Sequence, residues 1–182
     1  MLKTTIALIF YVVGAGSAGA QTTDHAQMNH GAHMASGQRQ ADVAQRGRDV
    51  MPFSLAATTH IFTKTTLGGV QQVVVKNAND TEQVRLTRLH LREIRDQFRR
   101  GDFSGPTRIH GQDMPGLAEL KASKPGHIAI TYKDIPAGAE LSYTTENAAL
   151  VSALQRWFDA QLSDHGKDAM SDHAGHDSMK KP

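Results

Sequence analysis

Hydrophobic and polar positions alternate along two pairs of segments in the middle of the chain. The first pair, residues 57–64 and 70–76, is separated by Leu67-Gly68-Gly69, and the second pair, residues 127–133 and 139–144, by a turn containing Pro and Gly. Alternation with a period of two around a Gly-containing turn is typical of a β-hairpin. The pattern therefore predicts two hairpins.

Apolar residues recur every three or four positions elsewhere, which predicts helices. We expect a long helix over residues 81–100 with Asp80 as its N-cap, a short helix over residues 115–123 and a final helix over residues 147–162. Residues 103–110 contain Gly and Pro and are expected to form a loop. The predicted order is ββααββα, an α+β fold in which two β-hairpins form an antiparallel sheet with helices packed on one face.

The first twenty residues have the pattern of a secretory signal. A positive start at Lys3 precedes an apolar run over residues 6–13 and small residues that end at Ala20. This order predicts a signal peptide over residues 1–20, and hence an exported, periplasmic protein. The apolar run is much shorter than the roughly 20 residues that span a bilayer, so we expect no membrane span.

The remaining chain divides into three parts by composition. Residues 52–166 have the periodicity of a folded α+β domain, whereas residues 21–51 and 167–182 are rich in His, Met, Gly, Ala and Gln. The last two segments contain few residues that could bury apolar surface. They are therefore predicted to be disordered His/Met-rich tails.

The two tails predict a copper site. Six of the ten histidines and four of the seven methionines lie near the chain ends. The candidate ligands are His25, Met28, His30, His33 and Met34 at one end and His165, Met170, His173, His176 and Met179 at the other. Imidazole binds copper and zinc, whereas thioether favours Cu(I), so the mixture favours copper over zinc. The chain has no cysteine, which excludes thiolate ligands.

A second metal site in the folded domain is a further hypothesis. His60 alternates with Phe62 on the first strand, His90 lies at the edge of the apolar face of the long helix, and His110 stands close to Asp113 and Met114. Convergence of His110, Asp113 and Met114 with either His90 or His60 would form a metal site. Each residue also has a plainer interpretation: an exposed strand residue for His60, a boundary residue for His90 and core packing for Met114.

The long helix also carries a stripe of arginines. Arg85, Arg88, Arg92, Arg95 and Arg99 recur at steps of three and four residues. A solvated helix face is the default interpretation, and an anion- or partner-binding surface is the alternative. The near balance of 20 basic and 18 acidic residues, with 5% aromatic residues, argues against nucleic-acid binding.

Common catalytic signatures are absent from the sequence. It contains no nucleophile elbow, P-loop or His-Glu-x-x-His motif, and its carboxylates are scattered. We therefore expect a non-enzymatic function, with an enzyme of unknown reaction as a further alternative.

Four segments resemble a family of small exported bacterial proteins. They are Thr59-His60-Ile61-Phe62, Gly101-Asp102-Phe103-Ser104, Ile109 to Gly116, and Trp157 to Leu162, and the resemblance spans residues 51–168. Members of this family are often named aspartate carbamoyltransferase, which implies carbamoyl-phosphate chemistry. The sequence lacks the Ser-Thr-Arg-Thr and His-Pro-x-Gln motifs of that enzyme, so we expect no such activity here. The tails resemble those of copper-resistance proteins.

Together these features predict a periplasmic copper-binding protein that acts in copper tolerance, buffering or delivery. Copper as Cu(I) or Cu(II) is the expected ligand, with zinc as the second choice. A periplasmic metal-handling protein is the expected partner.

Overall fold

The computed structural model describes residues 25–172 of the 182-residue chain, with side chains from residue 36 onward. The predicted signal peptide and the candidate ligands His173, His176 and Met179 lie outside the described residues. The side chains of His25, Met28, His30, His33 and Met34 lie outside them as well. No helix among the described residues is long and apolar enough to cross a membrane.

Five helices and five strands make up the described part of the chain. Two short 3-10 turns, Leu55–Ala57 and Gly166–Asp168, precede β1 and β5. In chain order the elements are α1 (His25–Arg48), β1 (Thr58–Thr65), β2 (Gly68–Val75), α2 (Thr81–Arg99), α3 (Ser104–His110), α4 (Leu117–Ala122), β3 (Ala129–Ile135), β4 (Gly138–Thr144), α5 (Ala148–His165) and β5 (Ala169–Ser171).

The strands form one sheet in the order β3-β4-β2-β1-β5. Neighbouring strands are antiparallel except for β5, which runs parallel to β1 and places Ala169 opposite His60. The sheet buries Phe62, Val73 and Leu141 on one face, while Ile61 on the other face is only partly buried. We call the buried side the inner face.

Helices α2 and α5 cover the inner face. Trp157 and Phe158 of α5 are fully buried, and each packs its ring against Tyr143 of β4. Phe98 of α2 contacts both Tyr143 and Trp157. These aromatic contacts form the centre of a core that joins both helices to the sheet.

The structure confirms the α+β class and corrects the predicted order. The described order is αββαααββαβ, because α1, α3 and β5 add to the predicted ββααββα, and β5 makes the sheet mixed rather than antiparallel. Residues 103–110, expected to form a loop, contain α3. Asp102 accepts a hydrogen bond from the Ser104 backbone N–H there, and Pro106 lies in the first turn, where a missing N–H is tolerated.

Part of the N-terminal segment expected to be disordered is also helical. Arg39 and Gln40 of α1 bond to the end of α5, Arg46 donates to the carbonyl oxygen of Ile109, and Val43 is fully buried. Because these contacts are with distant elements, α1 is stabilised by the domain rather than by its own weakly apolar sequence.

Gly138 provides a test of the strand packing. A Cβ atom added at Gly138 would lie 1.9 Å from the carbonyl oxygen of Val73 on β2, whereas a Cβ at Gly105 in α3 would meet nothing within 4 Å. We expect Gly138→Ala to lower the free energy of unfolding by about 2–4 kcal/mol. Gly105→Ala, the matched control, should change it by no more than about 1 kcal/mol, towards stability. Urea denaturation of both variants measures this, and equal effects would contradict the described packing.

Candidate functional site

Three imidazoles from three different elements meet beneath α1. His60 lies on the inner face of β1, His110 ends α3 and His165 ends α5, and all three are buried. The rings of His60 and His165 stack with centroids 4.7 Å apart, and the ring of His110 meets that of His165 edge-on at 5.2 Å. We call these three residues the histidine cluster.

The local sequence explains each of these positions. Alternation along β1 puts Thr58, His60 and Phe62 on the inner face, where all three are buried. On α5, Gln161 and His165 follow Trp157 at successive steps of four residues, which places all three on one face of the helix. The face that anchors α5 to the sheet therefore also carries an imidazole into the cluster.

His110 is held by a buried carboxylate. Its Nδ1 lies 2.9 Å from Oδ2 of Asp164, a residue that is only 2% exposed. The guanidinium of Arg39 donates to both oxygens of the same carboxylate, at 2.5 and 2.8 Å. An ionised carboxylate only accepts hydrogen bonds, so this contact assigns a proton to Nδ1 of His110; in a neutral imidazole the lone pair is then on Nε2.

The charge on Asp164 is stabilised by these two partners. Burial by itself raises the pKa of Asp164, but the hydrogen bonds from His110 and Arg39 outweigh it and lower the pKa below its usual value. In the same pair, the hydrogen bond to Asp164 raises the pKa of Arg39. Asp164 is therefore a fixed negative charge against one side of the histidine cluster.

Burial keeps the imidazoles of His60, His90 and His165 neutral. It lowers the pKa of His165 to about 4, with the neighbouring His110 adding to the effect, and lowers the pKa of His90 to about 4. Burial also lowers the pKa of His60 well below its usual value, and repulsion from His165, His90 and His110 lowers it further. A neutral imidazole carries a free lone pair at neutral pH, as a metal ligand requires.

A cavity of about 280 Å³ adjoins the cluster. All three cluster residues and His90 contribute to its wall, and Phe53 contacts the rings of both His60 and His90. Met51, whose side chain carries a thioether, also lines the cavity. The cavity thus combines four imidazoles and a methionine with a mixed lining of apolar and polar residues.

Several polar atoms around this cavity have no hydrogen-bond partner among the described residues. They are both ring nitrogens of His60, Nε1 of Trp157 and Oε1 of Gln161. A buried polar atom without a partner costs on the order of 1–3 kcal/mol. The concentration of such atoms around one cavity marks it as a place where a polar ligand, water or ion would be stabilised.

The structure brings together only some of the residues predicted for a metal site. His60 and His110 each contact the ring of His165, and His90 borders the same cavity. Asp113 is exposed, Met114 is buried in the core, and neither lines the cavity. Within the side chains that the structure describes, no group of three or more His, Asp or Glu residues is already arranged to hold a metal ion.

Two residues of the cavity were placed elsewhere or missed by sequence reasoning. Composition predicts His165 as a ligand of the C-terminal His/Met-rich end, whereas the structure shows it as the last residue of α5. Its spacing of four and eight residues from Gln161 and Trp157 is the signal that could have placed it on the helix. Met51, which also lines the cavity, is not among the predicted ligands. Met170, which is a predicted ligand, lies on β5 and is 52% exposed.

The arginine stripe of α2 makes contacts within the domain. Arg88 donates to the carbonyl oxygens of Ile135 and Gly138, and Arg92 bonds Asp134 at 3.0 Å while lying over the ring of Tyr132. The remaining members pair with neighbours on α2 (Arg85 with Glu82, Arg95 with Asp96) or are exposed (Arg99). These contacts dock α2 on the β3–β4 hairpin.

Comparisons with protein-family models, curated proteins and solved structures find no match to this chain. The resemblances drawn from the sequence therefore stay predictions.

The buried imidazoles predict an acid-sensitive fold. Unfolded His takes up a proton near pH 6.5, whereas folded His90 and His165 do so only near pH 4. Between these values the unfolded state binds more protons, so the free energy of unfolding falls as the pH falls from about 6.5 to about 4 and is constant above that range. His165 alone should account for about 3 kcal/mol of this loss.

Urea denaturation of the protein in EDTA, between about pH 4 and pH 7.5, measures this dependence. His165→Gln should make it shallower, and His127→Gln, at an exposed position before β3, should leave it unchanged. A free energy of unfolding that does not change below about pH 6.5 would contradict the burial of neutral imidazoles.

Proposed function

We propose that this protein is an exported, periplasmic copper-binding protein that acts in copper tolerance, buffering or delivery. The observation that carries the proposal is the histidine cluster: three buried imidazoles in contact, with both ring nitrogens of His60 lacking a partner. Imidazole nitrogen is a ligand for copper and zinc. A bound ion would satisfy buried nitrogens that are otherwise left without a partner.

Ring rotation within the cluster is the structural change that binding requires. The rings lie 4.7 and 5.2 Å apart between centroids, and metal–imidazole bonds are about 2 Å long. Turning the rings of His60 and His165 can therefore bring nitrogens around one ion without moving the backbone. The adjoining cavity gives room for this movement, and Asp164 holds His110 as the fixed member of the set.

Copper is favoured over zinc by the other ligand types in the chain. Met51 places a thioether in the wall of the cavity, and both ends of the chain combine His with Met. Thioether sulfur is a soft ligand that favours Cu(I), and the chain has no cysteine to supply a thiolate. In this proposal the His/Met-rich ends capture copper and the cluster holds it in the folded domain.

The stripe of arginines supports the alternative of an anion- or partner-binding module less well. Arg88, Arg92 and Arg95 already have acceptors within the domain, so an external anion would have to compete with them. An enzyme of unknown reaction stays a prediction with no reaction assigned to it.

Metal titration of the full chain tests the proposal. We expect one Cu equivalent to bind more tightly than about 10 μM, or about −7 kcal/mol, in competition with a chelator of known affinity. Replacing both His60 and His165 with Gln should weaken that equivalent at least about tenfold, because it removes two imidazole ligands. His127→Gln is the matched control and should bind as the unaltered chain does. Binding that is unaffected by the double substitution would contradict a site in the cluster.

A second set of substitutions separates the cluster from the chain ends. In this variant the five histidines nearest the ends are changed to Gln: His25, His30, His33, His173 and His176. We expect the copper stoichiometry to fall while the equivalent assigned to the cluster is retained with its affinity. Atomic absorption after equilibrium dialysis measures both quantities. Loss of all binding would place copper at the chain ends alone.

A further inference from the structure

The cavity carries a second set of polar groups that the histidine cluster does not use. Trp157 is fully buried and Gln161 is 5% exposed, and both line the cavity from α5. Nε1 of Trp157 can only donate a hydrogen bond, and Oε1 of Gln161 can only accept one, yet neither has a partner among the described residues. The Cα atoms of the two residues are four positions apart on the helix, about 6 Å along its axis.

The buried wall around this pair combines apolar side chains with uncharged polar groups, since Gln71 and the buried histidines line the same cavity. Phe98, Leu91 and Val73 contribute buried apolar wall. The charged residues that line the cavity, Asp49, Glu93 and Arg108, are all exposed and therefore belong to its rim. A charged ligand would lose its hydration in the interior without meeting an opposite charge there, so this part of the cavity favours a neutral one.

The volume is also larger than an ion requires. About 280 Å³ approaches the size of pockets that hold small organic molecules, which typically have apolar walls and a few placed polar groups. The lining of this cavity supplies both apolar side chains and polar imidazole and amide groups. Trp157 lies two helical turns and Gln161 one turn before His165, and neither is among the ligands proposed for copper.

We propose that the cavity is a binding site for a small, planar, neutral organic molecule that presents an acceptor to Nε1 of Trp157 and a donor to Oε1 of Gln161. Planar amides and lactam heterocycles have this arrangement of a carbonyl oxygen next to an N–H. Their flat rings fit against Phe98, which meets Trp157 edge-on at 5.8 Å. This site does not depend on the copper proposal.

The test uses 2-pyridone as the probe and N-methyl-2-pyridone, which lacks the N–H, as its matched control. The chain contains one tryptophan, so its indole N–H gives a single resonance that reports on the site directly. With EDTA present to remove metal, we expect 2-pyridone to shift this resonance saturably. N-methyl-2-pyridone should bind about tenfold more weakly, because it cannot donate to Gln161.

A pair of substitutions assigns the donor contact. Gln161→Leu should bring the affinities of the two probes together, whereas Gln112→Leu, in the exposed loop after α3, should keep the preference for 2-pyridone. Circular dichroism checks that both variants are folded, and if Gln161→Leu is not, the comparison of the two probes on the unaltered chain decides. No saturable shift with 2-pyridone, or equal affinity for both probes on the unaltered chain, would overturn the proposal.

Discussion

The packing of α5 against the sheet is the contact on which the candidate site depends. Trp157 and Phe158 are fully buried against Tyr143 of the inner face, and Trp157 also contacts Phe98 of α2. These contacts set the position of the helix axis. A helix is rigid over two turns, so this position also determines where Gln161, Asp164 and His165 lie. Each of these residues is buried, and each meets a group from another part of the chain or faces the cavity.

Polar groups at and beside the end of α5 differ in whether they have hydrogen-bond partners. Asp164 is fully satisfied, since Arg39 and His110 both bond to its carboxylate. His60 and Gln161, on the cavity side, are left with unpartnered atoms. The satisfied carboxylate joins α1 and α3 to α5, and the unpaired groups lie beside it. Such a combination is characteristic of binding sites, where stability is lower than complete internal pairing would give.

The elements that could be predicted from sequence are those specified by local signals. Alternation located both hairpins, and Asp80 was correctly placed as the N-cap of α2, where it accepts a bond from the Gln83 backbone N–H. Helix α1 could not be predicted in this way, because its order depends on Arg39 meeting a carboxylate 125 residues away. Helix α3 was missed because Gly105 and Pro106 are typical of loops, although Pro is tolerated in a first helical turn.

The residues of the candidate site likewise separate into those that local sequence signals indicated and those that they did not. Alternation and helical periodicity indicated His60 and His90 as candidates. In the fold His60 and His110 each contact His165, and a metal site formed from them stays a prediction. Composition assigned His165 to a tail, since a polar segment with Asp, His and Gly resembles the chain ends. The helix continues one turn further than the apolar pattern predicted, and that turn carries both Asp164 and His165.

Anomalous scattering at the copper absorption edge locates copper in the molecule without assuming its ligands. In crystals of the copper-loaded chain, we expect an anomalous peak within about 2 Å of ring nitrogens from at least two of His60, His110 and His165. Anomalous peaks confined to the surface, with none at the cluster, would contradict copper binding in the histidine cluster.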